Sequence, residues 1–275
     1  MPEPIPVRYF VFDIESVADP ALVSKVHFES KVPPEEAVAQ YRTELLSESS
    51  GKSDFIPYTF QIPVSVVIAK VSADLSLQGL AVLDEPEFRP HEICRKFWAG
   101  WKCYGKPMLV SFNGRGFDIP LLELAAFRYG ISLDEWFAMN VKTYQQPRNR
   151  YNIDMHFDLY DVLTNYGASR FTGGLNLAAS LIGKPGKLDT KGDMVQDKYN
   201  AGKLNEINDY CRCDVLDTYF IFLRTKVLIG ELKLDEEQQL VKQAKHWLEE
   251  QSEAVPVYRK YLDNWGDWRN PWEAL

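Results

Sequence analysis

Asp13 and Glu15 close the most strongly patterned segment of the chain, Arg8-Tyr9-Phe10-Val11-Phe12-Asp13-Ile14. So many aromatic and β-branched residues read as a strand. Residues two apart on a strand face the same side, about 6.6 Å apart along the chain, so both carboxylates can reach one divalent ion. Oxygen ligands of this kind suit magnesium or manganese better than zinc. The plainer reading is a solvated strand end, and a lone D-x-E carries little information. Tyr210 and Asp214 stand four apart in a helical pattern, Leu204 to Leu228, and share a face roughly 6 Å apart along its axis. Tyr210 could be a core residue with a satisfied hydroxyl, and Asp214 a surface charge. Yet the stripe that buries Tyr210 also carries Asp214 inward, where a carboxylate needs a cation or a partner. Asp118 follows the turn Asn113-Gly114-Arg115-Gly116 and precedes a helical pattern with Pro120 near its start. A helix cap explains Asp118 equally well, and the two roles can coexist. Together the five residues have one chemical logic. Two divalent ions about 3.5–4 Å apart can activate water and stabilise the leaving oxygen of a phosphodiester. A tyrosine hydroxyl nearby can orient or deprotonate that water.

The elements that must position these groups are legible in outline. Pro63 to Val71 alternates and is rich in Val and Ile, and Leu75 to Leu83 is its expected hairpin partner across Ser72-Ala73-Asp74. Helical spacing marks His91 to Tyr104, Ile119 to Tyr129, Leu159 to Tyr166, Leu175 to Ile182, Leu204 to Leu228 and about 235–251. Met108 to Phe112 is a short apolar strand. Residues 17–60 break the pattern and read as a partly helical insertion, with too little apolar material for a core of its own. The expectation is an α/β fold: a mixed sheet with helices on its faces.

Composition narrows the class. The 275 residues fit one large domain, and the 45% hydrophobic and 25% charged fractions are those of a soluble protein. No apolar run approaches the ~20 residues of a membrane span. The segment from Met1 to Arg8 lacks a signal-peptide pattern, and four cysteines fit a reducing cytosol, so a cytoplasmic protein is expected. Cys94, Cys103, Cys211 and Cys213 complete no zinc set and read as structural. A net charge of −8 argues against a general nucleic-acid coat, though not against a nuclease, whose carboxylate site needs cations to accept a phosphate.

Three stretches, F-D-I-E at 12–15, F-N-G-R-G-F-D-I-P-L-L at 112–122 and Y-C-R-C-D at 210–214, resemble the exonuclease motifs of the DEDD group in the ribonuclease H-like superfamily. The Y-x-x-x-D spacing marks the tyrosine subtype; the histidine subtype would carry His where Asp209 stands. The second motif is similar to that of the proofreading domain of family B DNA polymerases, and the whole looks like a stand-alone group of predicted exonucleases related to that domain. The resemblance spans about residues 8–228, with 229–275 as a helical tail of a single domain. It implies a ribonuclease H-like five-stranded mixed sheet, three strands antiparallel and the rest parallel. It implies metal ligation of two Mg2+ or Mn2+ ions by Asp13, Glu15, Asp118 and Asp214, with water orientation by Tyr210. It places Asn113 and Phe117 near the 3′-terminal nucleotide. The implied activity is 3′–5′ hydrolysis of single-stranded DNA or RNA ends, DNA favoured, with DNA repair as a setting and no membrane or known protein partner. The chain carries no polymerase domain, so editing in cis is not expected. An inactive binding module and an endonuclease on the same fold are the alternatives.

Weaker candidates surround this set. Arg148 and Arg150, with Tyr144 and Tyr151, could grip phosphates and stack bases, or simply form a solvated loop. Lys184, Lys187 and Lys191 form a similar patch. Asp158, beside His156 and Asp161, could support the site or cap a helix.

Overall fold

The computed structural model describes residues 6–186, 194–266 and 268–272, so Lys187 and Lys191 lie outside the described residues. Strand β1 (Val7–Ala18) is the middle of a five-stranded sheet. It pairs antiparallel with β2 (Gln61–Ser72) and parallel with β4 (Met108–Ser111). Strand β3 (Leu77–Val82) lies antiparallel outside β2, and β5 (His156–Asp158) lies parallel outside β4, giving the order β3-β2-β1-β4-β5. This is the mixed sheet expected of a ribonuclease H-like exonuclease.

The alternation of β1 decides what each face receives. Phe10, Phe12 and Ile14 enter one core with helices α3 (Pro90–Cys103) and α4 (Asp118–Tyr129), where Phe97, Trp101 and Leu121 are fully buried. Val11 enters the other core, against α7 (Gly174–Leu181), α9 (Leu204–Leu228), α10 (Leu234–Gln251) and α11 (Pro256–Asp263). Asp13 and Glu15 continue the Val11 face, because side chains repeat every second residue. They therefore leave the sheet on the side covered by α9. Short helices α5 (Asp134–Phe137), α6 (Leu159–Thr164) and α8 (Val195–Asn200) fill the periphery.

Three boundaries differ from the sequence expectation. Strand β1 runs on to Ala18, because Ser16, Val17 and Ala18 pair with Pro63, Ile62 and Gln61 across a register shift. Pro63 sits at that irregularity, where a missing donor is tolerated. Leu75 does not begin a strand: it is a left-handed turn residue (φ 69°), buried with its carbonyl accepting from Tyr219 Oη at 2.9 Å. The insertion does build a small core. Ala18, Val23, Ala37, Tyr41 and Ile56 form a separate buried cluster under α2 (Pro34–Glu48), and His27 stacks on Tyr41 at 3.8 Å. Asp19 caps the short helix α1 (Pro20–Leu22) and binds Arg128 of α4 at 2.6 Å, which ties this unit to the main body.

Candidate active site

Asp13 and Glu15 project from β1, Asp118 from the first turn of α4, and Tyr210 and Asp214 from one face of α9. The fold brings these five together. The Asp13 carboxyl group is held well above the usual range, by burial first, then by the negative charges of Glu15, Asp118 and Asp214. No positive side chain stands among the groups acting most strongly on it. Asp118 is 6% exposed, and burial pushes it up to about 7, with Asp158 adding to the rise. One of its acceptor bonds comes from the Ile14 amide, so the second motif is stitched to β1 between the two acids of the first. Tyr210 donates its hydroxyl to Asp214, and burial with the charges of Asp214, Glu15 and Asp13 raises its pKa far beyond the usual phenol range.

The donor set fits divalent cations. Four carboxylates from three separated segments crowd together, and three of them raise the proton affinity of Asp13, as expected where hard cations are to be held by oxygen ligands. Ligand atoms of Asp13, Glu15 and Cys211 lie within 4.8 Å of one another.

Cys211 is a buried neighbour of the site that sequence reading did not place there. Its thiol donates to the Asp13 carbonyl at 3.3 Å and lies 3.8 Å from Asp13 Oδ2. Burial, then the charges of Asp13 and Glu15, push the thiol well up, so it packs against Asp13 as a neutral group. The signal was available: on a helical wheel Asp214 lies between Tyr210 and Cys211. Asp217, one turn further, is fully buried, accepts from Tyr261 Oη at 2.6 Å and is pushed up to about 8 by burial.

The loop from Asn113 to Phe117 is set by Asp158. Its carboxylate accepts from the amides of Asn113 at 2.9 Å, Arg115 at 2.8 Å and Tyr160 at 3.0 Å. Asp158 is therefore both the cap of α6 and the anchor of the second motif, so the two roles read from sequence coexist. Asn113 holds the left-handed conformation that turns the chain (φ 65°). Arg115 donates to the His156 carbonyl at 2.6 Å and pairs with Asp161 at 3.0 Å. Buried His156 is kept neutral by desolvation and shares a 2.8 Å bond with Ser111 Oγ. Replacing Asp158 by Ala leaves three amides without their acceptor. We expect a loss of about 3 kcal/mol in urea unfolding, and a fall in any activity that depends on Asp118.

Asn113 is exposed, and Phe117, the residue before Asp118, is half-buried. Arg148 makes a two-pronged ion pair with Glu123, at 2.8 and 2.9 Å, and Arg150 reaches Asp161 at 3.8 Å. Both are about half exposed, so neither is sequestered. Lys184 departs from the sequence expectation. It is buried, with its ammonium over the rings of Trp265 at 4.4 Å and Phe220 at 5.1 Å, and burial lowers its pKa to about 8. It braces the C-terminal tail and presents no surface charge.

A family model described as a predicted 3′–5′ exonuclease related to the exonuclease domain of PolB matches residues 53–265. The chain belongs to this family. The match contains Asp118, Tyr210 and Asp214 and begins after Asp13 and Glu15, which the central strand places beside them. Comparison with curated proteins returns no match. Among the described residues no helix is long and apolar enough to cross a membrane.

Proposed function

We propose that this exonuclease-family protein hydrolyses phosphodiester bonds one nucleotide at a time from the 3′ end of single-stranded nucleic acid, with DNA favoured over RNA, releasing nucleoside 5′-monophosphates. The observation that carries this reading is the convergence of Asp13, Glu15, Asp118 and Asp214 with Tyr210 in one acidic site between β1, α4 and α9. Two Mg2+ or Mn2+ ions held by the four carboxylates would supply an activated water and neutralise the charge of the leaving oxygen. Tyr210 shares its hydroxyl proton with Asp214 and offers its oxygen to orient an incoming water. Asn113 and Phe117 would hold the terminal nucleotide, with Arg148 and Arg150 supplying charge to the strand behind it.

The test is product analysis on a 5′-labelled oligonucleotide with Mg2+ or Mn2+. A ladder shortening from the 3′ end is expected; cleavage of circular single-stranded DNA would show an endonuclease instead. Strand binding with no hydrolysis under any divalent ion would show an inactive binding module. In Tyr210→Phe the rate should fall roughly a hundredfold or more, while calorimetry finds metal affinity nearly unchanged. A Tyr210→Phe enzyme with full turnover would remove the tyrosine from the mechanism.

A further inference from the structure

Phe117, the residue before Asp118, is not alone. Phe55, from the end of the 17–60 segment, meets it with ring centroids 5.7 Å apart, and Tyr58 meets it edge-on at 6.4 Å. Phe55 is 60% exposed. It is nevertheless carried on a pinned stretch of backbone. The next residue, Ile56, is buried in the cluster beneath α2, its carbonyl accepts from Gln61 Nε2 at 2.5 Å, and Asp54 approaches Arg42 at 3.9 Å. Core packing turns Ile56 inward and leaves Phe55 turned outward. A large apolar ring held rigidly in solvent beside two other aromatics costs hydration without contributing to any core. Arg148 adds charge: its guanidinium feels Tyr58 and reaches outward from Glu123, only five positions along α4 from Asp118.

We propose that Phe55 and Tyr58 extend Phe117 into an aromatic wall that stacks the unpaired bases of a single-stranded 3′ end, with Arg148 facing the phosphates. The 17–60 segment, whose role the motifs leave open, is thereby a strand-selecting element of the site. Base stacking on aromatic rings is tolerant of sequence, because every base has a π face. Paired and stacked bases of a duplex cannot lie on the wall, so it selects single strands. This inference rests on the proposed nuclease reading only for the location of the 3′ end; the binding itself needs no hydrolysis.

The experiment is fluorescence anisotropy with a 5′-fluorescein-labelled oligothymidine, with Ca2+ in place of Mg2+ or Mn2+ to screen the carboxylates, so that strand binding is read without turnover. Phe55→Ala should weaken binding about tenfold, and Phe55→Ala/Tyr58→Ala further. Phe55→Trp should restore it. The advantage of the oligonucleotide over thymidine 5′-monophosphate, and of single strand over blunt duplex as competitors, should shrink in the double variant. Because Phe55 is exposed, its variants should melt with the wild type, which separates lost stacking from lost fold. Unchanged affinity in the double variant overturns the wall, as does an equal loss for mononucleotide and oligonucleotide. Should the wild type bind strands through Phe55 yet hydrolyse none, the wall stands and the exonuclease reading fails.

Discussion

Asp13→Asn should abolish nucleotide release, by roughly a thousandfold or more, and at the same time make the metal-free protein harder to melt. The first effect follows from removing a ligand common to the acidic site; a thousandfold corresponds to about 4 kcal/mol of barrier. The second follows from the charge balance. In the metal-free fold Asp13 repels Glu15, Asp118 and Asp214 in a buried setting. The isosteric amide removes that repulsion and keeps the shape. The pH dependence fixes the sign. Asp118 in the fold titrates up at about 7, against about 4 in an unfolded chain, and Asp13 is also raised. Between those values the fold holds protons that the unfolded chain has released. Stability is then fully present below about pH 4 and is lost as pH rises through 7. Asp217, at about 8, acts in the same direction. The melting temperature in EDTA should therefore decline from pH 5 to pH 8, less steeply in Asp13→Asn. Added Mn2+ should stabilise the wild type most at the alkaline end and Asp13→Asn little. A wild-type melting temperature that rises with pH in EDTA, or a variant that keeps its Mn2+ response, would contradict the assignment of this cluster as a cation site.

Much of this site could be read before any fold was known, for physical reasons that differ residue by residue. The β1 alternation is written plainly: Phe10, Phe12 and Ile14 can only be core, so Asp13 and Glu15 must share the opposite face with Val11. Tyr210 and Asp214 are fixed by helical spacing alone. Other features depend on groups far apart in sequence. Strand β5 is three residues long, and two of them are the polar His156 and Asp158. Both are buried only because Ser111 and the 113–115 amides receive them. Arg148 looks like a free cation until Glu123 is folded against it. Lys184 looks like surface until Phe220 and Trp265 close over it. Phe55 gains a neighbour only when Phe117 arrives from another segment. Local periodicity names the candidate acids, and long-range packing decides which cations and aromatics stand exposed.

Gly114→Ala should damage both the fold and the site by the addition of a single methyl group. A Cβ at Gly114 would stand 2.4 Å from Ser111 Oγ, 2.6 Å from Ser111 Cβ and 3.0 Å from Asp118 Oδ2. Ser111 cannot swing away, because its hydroxyl is held by His156 at 2.8 Å inside β4. The loop cannot rise either, since Asp158 clamps the amides on both sides of Gly114. Strain must pass to Asp118, the carboxylate that joins α4 to β1. We expect a cost of roughly 3 kcal/mol from overpacking. Activity should drop about a hundredfold, the scale set by ångström-sized displacement of a catalytic group. A second substitution separates this cause from general damage. Ser111→Gly removes both close atoms on the strand side, so Gly114→Ala/Ser111→Gly should melt above the sum of its singles. It should not regain full turnover, because the contact with Asp118 Oδ2 persists. Strict additivity of the two losses in thermal melts would show that the clash with Ser111 is not what makes glycine necessary here. Full recovery of turnover would show that Asp118 never felt the added methyl. In either case the glycine of the second motif would answer to something other than the space between β4 and the Asp118 carboxylate.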